Sequence, residues 1–221
     1  MVDMRRRTPE PAPGVPEIQY RPGLADDLLQ ELAPLLAGQG IDVQNLGASD
    51  LATLERSLHQ AVERRNLQLF TPVGASREVA VTAIRLVVTA CCDDDPATVG
   101  ALLDQVEPES PDNTVATVAS CIGLGLGLLD DWLSGRGDEA PSGLAQHVRL
   151  PVGPFTGERA ATEILALARK GRAFRSLKTL LARQGGQQVL AGSALALAAA
   201  VTAWADHGHT PRAELIRTAI R

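Results

Sequence analysis

Apolar residues recur along most of the chain at intervals of three to five positions, which is the spacing of one face of an amphipathic helix. Between residues 51 and 67 the apolar positions follow this spacing and charged residues fill the positions between them. Residues that start or stop helices, mainly Gly, Pro, Ser, Thr and Asp, separate such segments. The pattern predicts an all-α protein, a compact bundle of about nine or ten helices.

Helix boundaries are predicted where a capping residue precedes an apolar run. Ser76, Asn113 and Thr210 are each predicted to cap a helix in this way. The triplet Asp93–Asp95, followed by Pro96, predicts the end of one helix and the start of the next. Proline loses no hydrogen bond at the first helical position, and carboxylates favour the positive end of the helix dipole.

Breakers and composition divide the chain into five segments. The first has five prolines and no apolar periodicity, which predicts a flexible tail. A helical pair follows, then an acidic helical repeat, a linker and a basic helical repeat. The predicted boundaries, in that order, are 1–23, 24–71, 72–140, 141–156 and 157–221.

Short matches between the two halves indicate an internal duplication of three helices. Residues 78–84 (Glu-Val-Ala-Val-Thr-Ala-Ile) align with residues 158–164 (Glu-Arg-Ala-Ala-Thr-Glu-Ile). The leucines at 102–103 then align with those at 180–181, and each half closes with a helix rich in small residues. Because the matches occur in the same order, we predict two related three-helix units packed through their two closing helices.

The closing helices contain two uncharged segments, 114–129 and 187–205, with Trp132 and Trp204 near their ends. Helices that are apolar on all sides are typical of a bundle centre. We predict that three glycines of the first face three alanines of the second, namely Gly123, Gly125, Gly127, Ala191, Ala194 and Ala198. A membrane-spanning pair is the alternative, since each segment approaches the 18 to 20 apolar residues that a bilayer requires. Several polar residues in the second segment, including Gln187, argue against this alternative.

Charge is distributed unevenly along the chain. The formal net charge is −5, but residues 86–148 contain 11 acidic and one basic residue, and residues 157–221 contain 10 basic and 4 acidic residues. Dense Arg and Lys suit pairing with carboxylates or phosphates. We therefore predict an interaction surface for an oppositely charged protein or a second copy of the chain. Six clustered cations form it: Arg169, Lys170, Arg172, Arg175, Lys178 and Arg183.

Each candidate catalytic or metal site lacks a second part. The run Gly123–Gly127 has no third glycine and no preceding strand, both of which a dinucleotide loop requires. His207 and His209 have no third ligand cluster nearby except Asp206. Asp130 and Asp131 are predicted to be solvated carboxylates at a helix end. The sequence thus predicts no catalytic residue, no metal and no cofactor.

The three cysteines bear on the compartment. Cys91, Cys92 and Cys121 lie in apolar helical surroundings, where we expect inert thiols that behave as small hydrophobic residues. Three cysteines do not form a conventional disulfide framework, and the arginine run at residues 5–7 is not followed by an apolar stretch. These features predict a cytoplasmic protein without an export signal.

Together the patterns predict a non-enzymatic cytoplasmic protein-interaction module, an adaptor or regulatory scaffold. The alternative is a helical enzyme or small-ligand-binding protein with a pocket between the repeats, using Asp130, Asp131 or His207. The negative net charge and only six aromatic residues (three Phe, two Trp, one Tyr) argue against a nucleic-acid platform. Weak, salt-dependent contact with an anionic ligand, including a nucleic-acid backbone, is a secondary hypothesis.

Overall fold

A computed structural model describes residues 67–110, 114–135, 140–151, 153 and 155–221, together with single residues between 30 and 57. It divides into two compact units, residues 1–67 and 68–221. In the first unit Leu36, Ile41 and Leu54 are buried. The predicted tail at 1–23, and most of the predicted helical pair at 24–71, lie outside the described residues.

In the described part of the second unit, helices are the main regular secondary structure and there is no β-strand. The predicted all-α fold, a compact helical bundle, is confirmed. A 3-10 turn occupies Phe174–Ser176. The helices are α1 (Ala75–Cys92), α2 (Pro96–Asp104), α3 (Val118–Leu133), α4 (Leu144–His147), α5 (Glu158–Ala168), α6 (Leu177–Gln184), α7 (Gly186–Gly208) and α8 (Arg212–Ala219).

The start of α2 is the one that the sequence predicts. Asp95 is its N-cap and Pro96 its first residue. One carboxylate oxygen of Asp95 accepts from the Thr98 amide at 3.0 Å and the other from the Thr98 hydroxyl at 2.6 Å. These hydrogen bonds lower the pKa of Asp95, because they favour its ionised form.

Two other predicted caps are wrong. Ser76 lies inside α1, which begins after Gly74 at a φ of 55°, and the Ser76 hydroxyl donates to the Val73 carbonyl at 2.9 Å. Thr210 precedes the N-cap of α8, which is Pro211. The observed N-cap thus lies two residues before Ser76 in the first case and one residue after Thr210 in the second. Asn113 lies outside the described residues, and the cap of α3 is Thr117.

Helix α7 lies at the centre of the second unit and contacts each of its seven other helices. It is long and apolar enough to cross a membrane, and 78% of its most apolar 18-residue window is buried within the protein. Helix α3 packs beside it and is buried over most of its 16 residues. The central position predicted for the two apolar helices is therefore confirmed.

The predicted contacts of the α3 glycines are partly wrong. A Cβ on Gly123 would lie 1.7 Å from the Phe70 carbonyl oxygen, and a Cβ on Gly125 would lie 3.1 Å from the Ser193 hydroxyl of α7. A Cβ on Gly127 would meet nothing within 4 Å. Residues two apart on a helix point in nearly opposite directions, because each residue turns the helix by about 100°. Three alternating glycines therefore cannot all face one neighbouring helix.

The two halves share the local features on which the predicted duplication depends. Thr82 and Thr162 each donate to the carbonyl four residues earlier at 2.9 Å. Ile84 and Ile164 are both buried. The aligned leucines differ, however. The buried residue is the second of the pair at 102–103, namely Leu103, and the first of the pair at 180–181, namely Leu180. The duplication itself stays a prediction.

Candidate functional site

The six predicted basic residues lie on one continuous stretch from the end of α5, through the 3-10 turn, to the end of α6. All six are exposed, and the stretch contains no acidic residue. We call this stretch, residues 169–183, the basic surface. Its exposure is the first condition for the interaction that the sequence predicts.

Asp130 of α3 fixes the backbone of the basic surface. Its two carboxylate oxygens accept hydrogen bonds from the Ala173 amide at 2.8 Å and the Phe174 amide at 3.0 Å. Asp130 is therefore partly buried and is not the solvated carboxylate that the sequence predicts. The neighbouring Asp131 is exposed, as predicted. Sequence reasoning missed this role because residues 130 and 173 lie far apart along the chain.

The cations of the basic surface differ in their partners. Arg183 forms an ion pair with Glu163 at 2.7 Å, and Gln184 donates to the second oxygen of the same carboxylate at 2.9 Å. The guanidinium groups of Arg172 and Arg175 make no hydrogen bond or ion pair with the described residues. Arg172 and Arg175 are therefore available to a partner without loss of an internal ion pair.

Arg169 meets a second arginine that the sequence did not single out. Arg169 donates from Nε to the Ala145 carbonyl at 3.1 Å and from Nη2 to the Val148 carbonyl at 3.2 Å. Arg149 donates from Nη1 to the Gln146 carbonyl at 2.7 Å and to the same Val148 carbonyl at 2.9 Å. We call Arg149 and Arg169 the arginine pair. Arg149 lies in the segment predicted as a linker. Its positive charge is the only feature of the sequence that could have indicated a functional role.

The arginine pair lines an open depression of about 540 Å³ together with Ala145 and Gln146. Neither arginine forms an ion pair with the part of the chain that the structure describes. Two cations thus converge on one carbonyl oxygen, and no carboxylate of the described residues balances them. This arrangement favours an anion in the depression.

Two histidines also meet at this end of the bundle. The rings of His147 in α4 and His207 in α7 have centroids 5.7 Å apart. His209, which the sequence pairs with His207 as a candidate metal ligand, lies directly after α7 in a left-handed conformation. Among the described residues no group of three or more His, Cys, Asp or Glu could hold a metal ion. The depression beside the arginine pair is lined by none of the residues proposed for the alternative pocket.

Trp132 and Trp204 pack edge to face, with ring centroids 5.5 Å apart and an interplanar angle of 83°. The sequence places them at matching ends of the two closing helices, and the structure brings them together. The Trp132 indole nitrogen is buried and has no hydrogen-bond partner. The contact joins the ends of α3 and α7, the helices that carry Asp130 and His207.

The cysteines lack the environment of a nucleophile. Burial raises the pKa of Cys91 to about 12, and the charge of Cys92 adds to this increase. Burial also raises the pKa of Cys121 to about 12, despite the opposing effect of a hydrogen bond with Ser120. Inert thiols were predicted from the apolar surroundings, and these raised pKa values confirm that prediction.

The pKa of Cys121 predicts a loss of stability in alkali. The unfolded thiol ionises near pH 9 and the folded thiol near pH 12, so the folded state keeps a proton that the unfolded state releases. Stability is therefore lost as the pH rises above about 9, by about 2 kcal/mol between pH 8 and pH 10.5. We expect Cys121→Ala to remove this part of the decline in urea titrations at several pH values. An unchanged decline would contradict the raised pKa.

Comparison of the chain with protein-family models, with curated proteins and with solved structures found no match.

Proposed function

We propose that this protein is a non-enzymatic cytoplasmic interaction module, an adaptor or regulatory scaffold, that binds an acidic protein segment through the basic surface. The observation that carries this proposal is the exposure of six cations on one stretch that holds no carboxylate. The cytoplasm is proposed because the three cysteines are free thiols, which suit a reducing compartment.

The anchored backbone of the basic surface supports this proposal. The Asp130 carboxylate holds the amides of Ala173 and Phe174, which lie between Arg172 and Arg175. Because this backbone is ordered before binding, a partner does not have to supply the free energy of ordering it. Guanidinium groups also bind carboxylates with two parallel hydrogen bonds, which favours arginine over lysine in recognition of acidic segments.

A second copy of the chain is another occupant that charge complementarity favours. The acidic residues between 93 and 109 in the described part are all exposed, and they follow α1 and α2. An acidic surface on one molecule facing the basic surface on another would join copies head to tail. Self-association is therefore measured alongside partner binding.

The test compares two double charge reversals that change the net charge equally. Arg172→Glu with Arg175→Glu alters the basic surface, and Arg159→Glu with Arg217→Glu alters two exposed arginines elsewhere. We expect the first variant to bind a fluorescent polyglutamate peptide at least about tenfold more weakly than the unaltered protein, because two paired charges are lost. We expect the control variant to retain binding within about threefold.

The same variants identify the natural partner. Chemical cross-linking in cytosol, followed by mass spectrometry, should join residues 169–183 to an acidic segment of one protein in the control variant and lose that link in Arg172→Glu with Arg175→Glu. Equal weakening in both variants would show that only the net charge matters, which would overturn the proposal. Concentration-dependent self-association, measured by sedimentation and lost in the same variant, would instead assign the basic surface to a second copy.

A further inference from the structure

The arginine pair lies beside the basic surface, since Arg169 belongs to both. Its two guanidinium groups are held by carbonyl oxygens that follow one another at the end of α4, and both reach the Val148 carbonyl. Neither group forms an ion pair with the described residues. The arginine pair therefore places two positive charges at fixed positions at the edge of the basic surface.

Capping of α4 does not require that two arginines share one carbonyl. At the end of α8, the single guanidinium of Arg85 donates to the Ile220 carbonyl at 2.9 Å and to the Arg217 carbonyl at 2.6 Å. One arginine is thus enough to satisfy two terminal carbonyls of a helix. On α4, which is only four residues long, each arginine donates to one carbonyl of its own, Gln146 for Arg149 and Ala145 for Arg169. Both also donate to the Val148 carbonyl, which brings two like charges together.

Several donors of the arginine pair have no acceptor in the described part of the chain. Arg149 uses only Nη1, which leaves Nε and Nη2, and Arg169 uses Nε and Nη2, which leaves Nη1. Both side chains line the open depression of about 540 Å³, so a bound group could reach their unused donors. The unused donors and the two charges suit an anion that has several oxygens and more than one negative charge.

A phosphate monoester meets these requirements better than a carboxylate does. It carries a charge of about −1.5 to −2 at neutral pH and offers three acceptor oxygens. A carboxylate carries one charge and two oxygens, so one guanidinium would remain unbalanced. The open depression continues into the basic surface through Arg169, which suits a phosphate attached to a larger acidic chain.

We propose that Arg149 and Arg169 bind one phosphate group on the acidic partner, which is therefore a phosphorylated protein segment. This inference rests on the proposed function, because the basic surface holds the residues that flank the phosphate. The arginine pair recognises the modification, and Arg172 and Arg175 recognise the acidic flank. Phosphorylation of the partner thereby controls its binding to this protein.

The test uses the full chain and three probes: an acidic peptide with one central phosphoserine, the same peptide with serine, and inorganic phosphate. We expect the unaltered protein to bind the phosphopeptide at least about tenfold more tightly than the serine peptide, as charge-assisted pairs of this kind provide. Arg149→Gln should reduce this ratio to below about threefold. Arg159→Gln, a matched change at an exposed arginine elsewhere, should leave the ratio intact.

Arg149→Lys keeps the charge and guards against a folding defect in the glutamine variant. We expect it to unfold at the temperature of the unaltered protein and still to lose most of the phosphopeptide preference, because lysine cannot make the paired hydrogen bonds of arginine. A preference that survives both Arg149 variants would overturn the assignment of the phosphate to the arginine pair. Inorganic phosphate that binds as tightly as the phosphopeptide would overturn its assignment to a protein partner.

The failures of the two proposals are distinguishable. If both peptides bind equally and both are weakened by Arg172→Glu with Arg175→Glu, the basic surface stands and the phosphate inference is wrong. If neither peptide depends on Arg172 and Arg175, the proposed function itself is wrong.

Discussion

Gly123→Ala is expected to lower the free energy of unfolding by about 3 kcal/mol or more, because the added methyl group overlaps backbone atoms. The new Cβ would lie 1.7 Å from the Phe70 carbonyl oxygen and 2.5 Å from the carbonyl carbon. Both are backbone atoms, so rotation of a side chain cannot relieve the overlap. Either α3 or the turn at Phe70 must move by more than an ångström, and Phe70 is itself part of the core.

Gly127→Ala is the matched control, because it adds the same methyl group to the same helix. Its Cβ would have no neighbour within 4 Å. Alanine favours the helix interior by about 1 kcal/mol over glycine, so the control is expected to be as stable as the unaltered protein or more stable. Urea titration followed by circular dichroism measures both variants. Equal stability of Gly123→Ala and Gly127→Ala would show that α3 does not approach Phe70 closely.

Much of the helical architecture could be predicted from the sequence because it depends on local or periodic features. Asp95 and Pro96 define the start of α2 through contacts within three residues. The absence of charge in residues 187–205 predicts a helix with no solvent-facing side, and α7 lies at the centre of the second unit. The clustering of cations at 169–183 likewise predicts an exposed stretch, since charged side chains are rarely buried without partners.

Contacts between distant residues could not be predicted in this way. Arg149 meets Arg169 through the carbonyls of α4, a helix of four residues that lies inside the predicted linker. His147 meets His207 because α4 packs on α7, and no local pattern indicates this. The contact that each α3 glycine makes also depends on which element packs against that side of the helix. Periodicity shows which side of a helix is buried, whereas it does not identify the neighbour.

Asp130 connects the architecture to the proposed function, because one side chain of a central helix determines the conformation of the basic surface. The carboxylate accepts two amide hydrogen bonds at 2.8 and 3.0 Å from a segment that contains Arg172 and Arg175. Without this carboxylate, the Ala173 and Phe174 amides would have to donate to water or would lack a hydrogen bond. A residue of the core helix α3 thereby fixes the backbone of the exposed basic surface.

Asp130→Asn is accordingly expected to lower the free energy of unfolding by about 2 to 3 kcal/mol, since hydrogen bonds to a charged acceptor contribute about 1.5 to 3 kcal/mol each. The asparagine oxygen can replace one of the two acceptors, while its NH2 group faces an amide donor. We expect faster hydrogen exchange at the Ala173 and Phe174 amides, measured by NMR, and weaker binding of the polyglutamate peptide although every cation is still present.

Asp131→Asn provides the control for Asp130→Asn because it removes the same charge from the adjacent, exposed position. It should leave stability within about 0.5 kcal/mol, as substitutions at exposed sites usually do. If Asp130→Asn lowers stability and speeds amide exchange but leaves peptide binding intact, the basic surface does not depend on an anchored backbone. The cations alone would then suffice, and the binding would be governed by charge density more than by geometry.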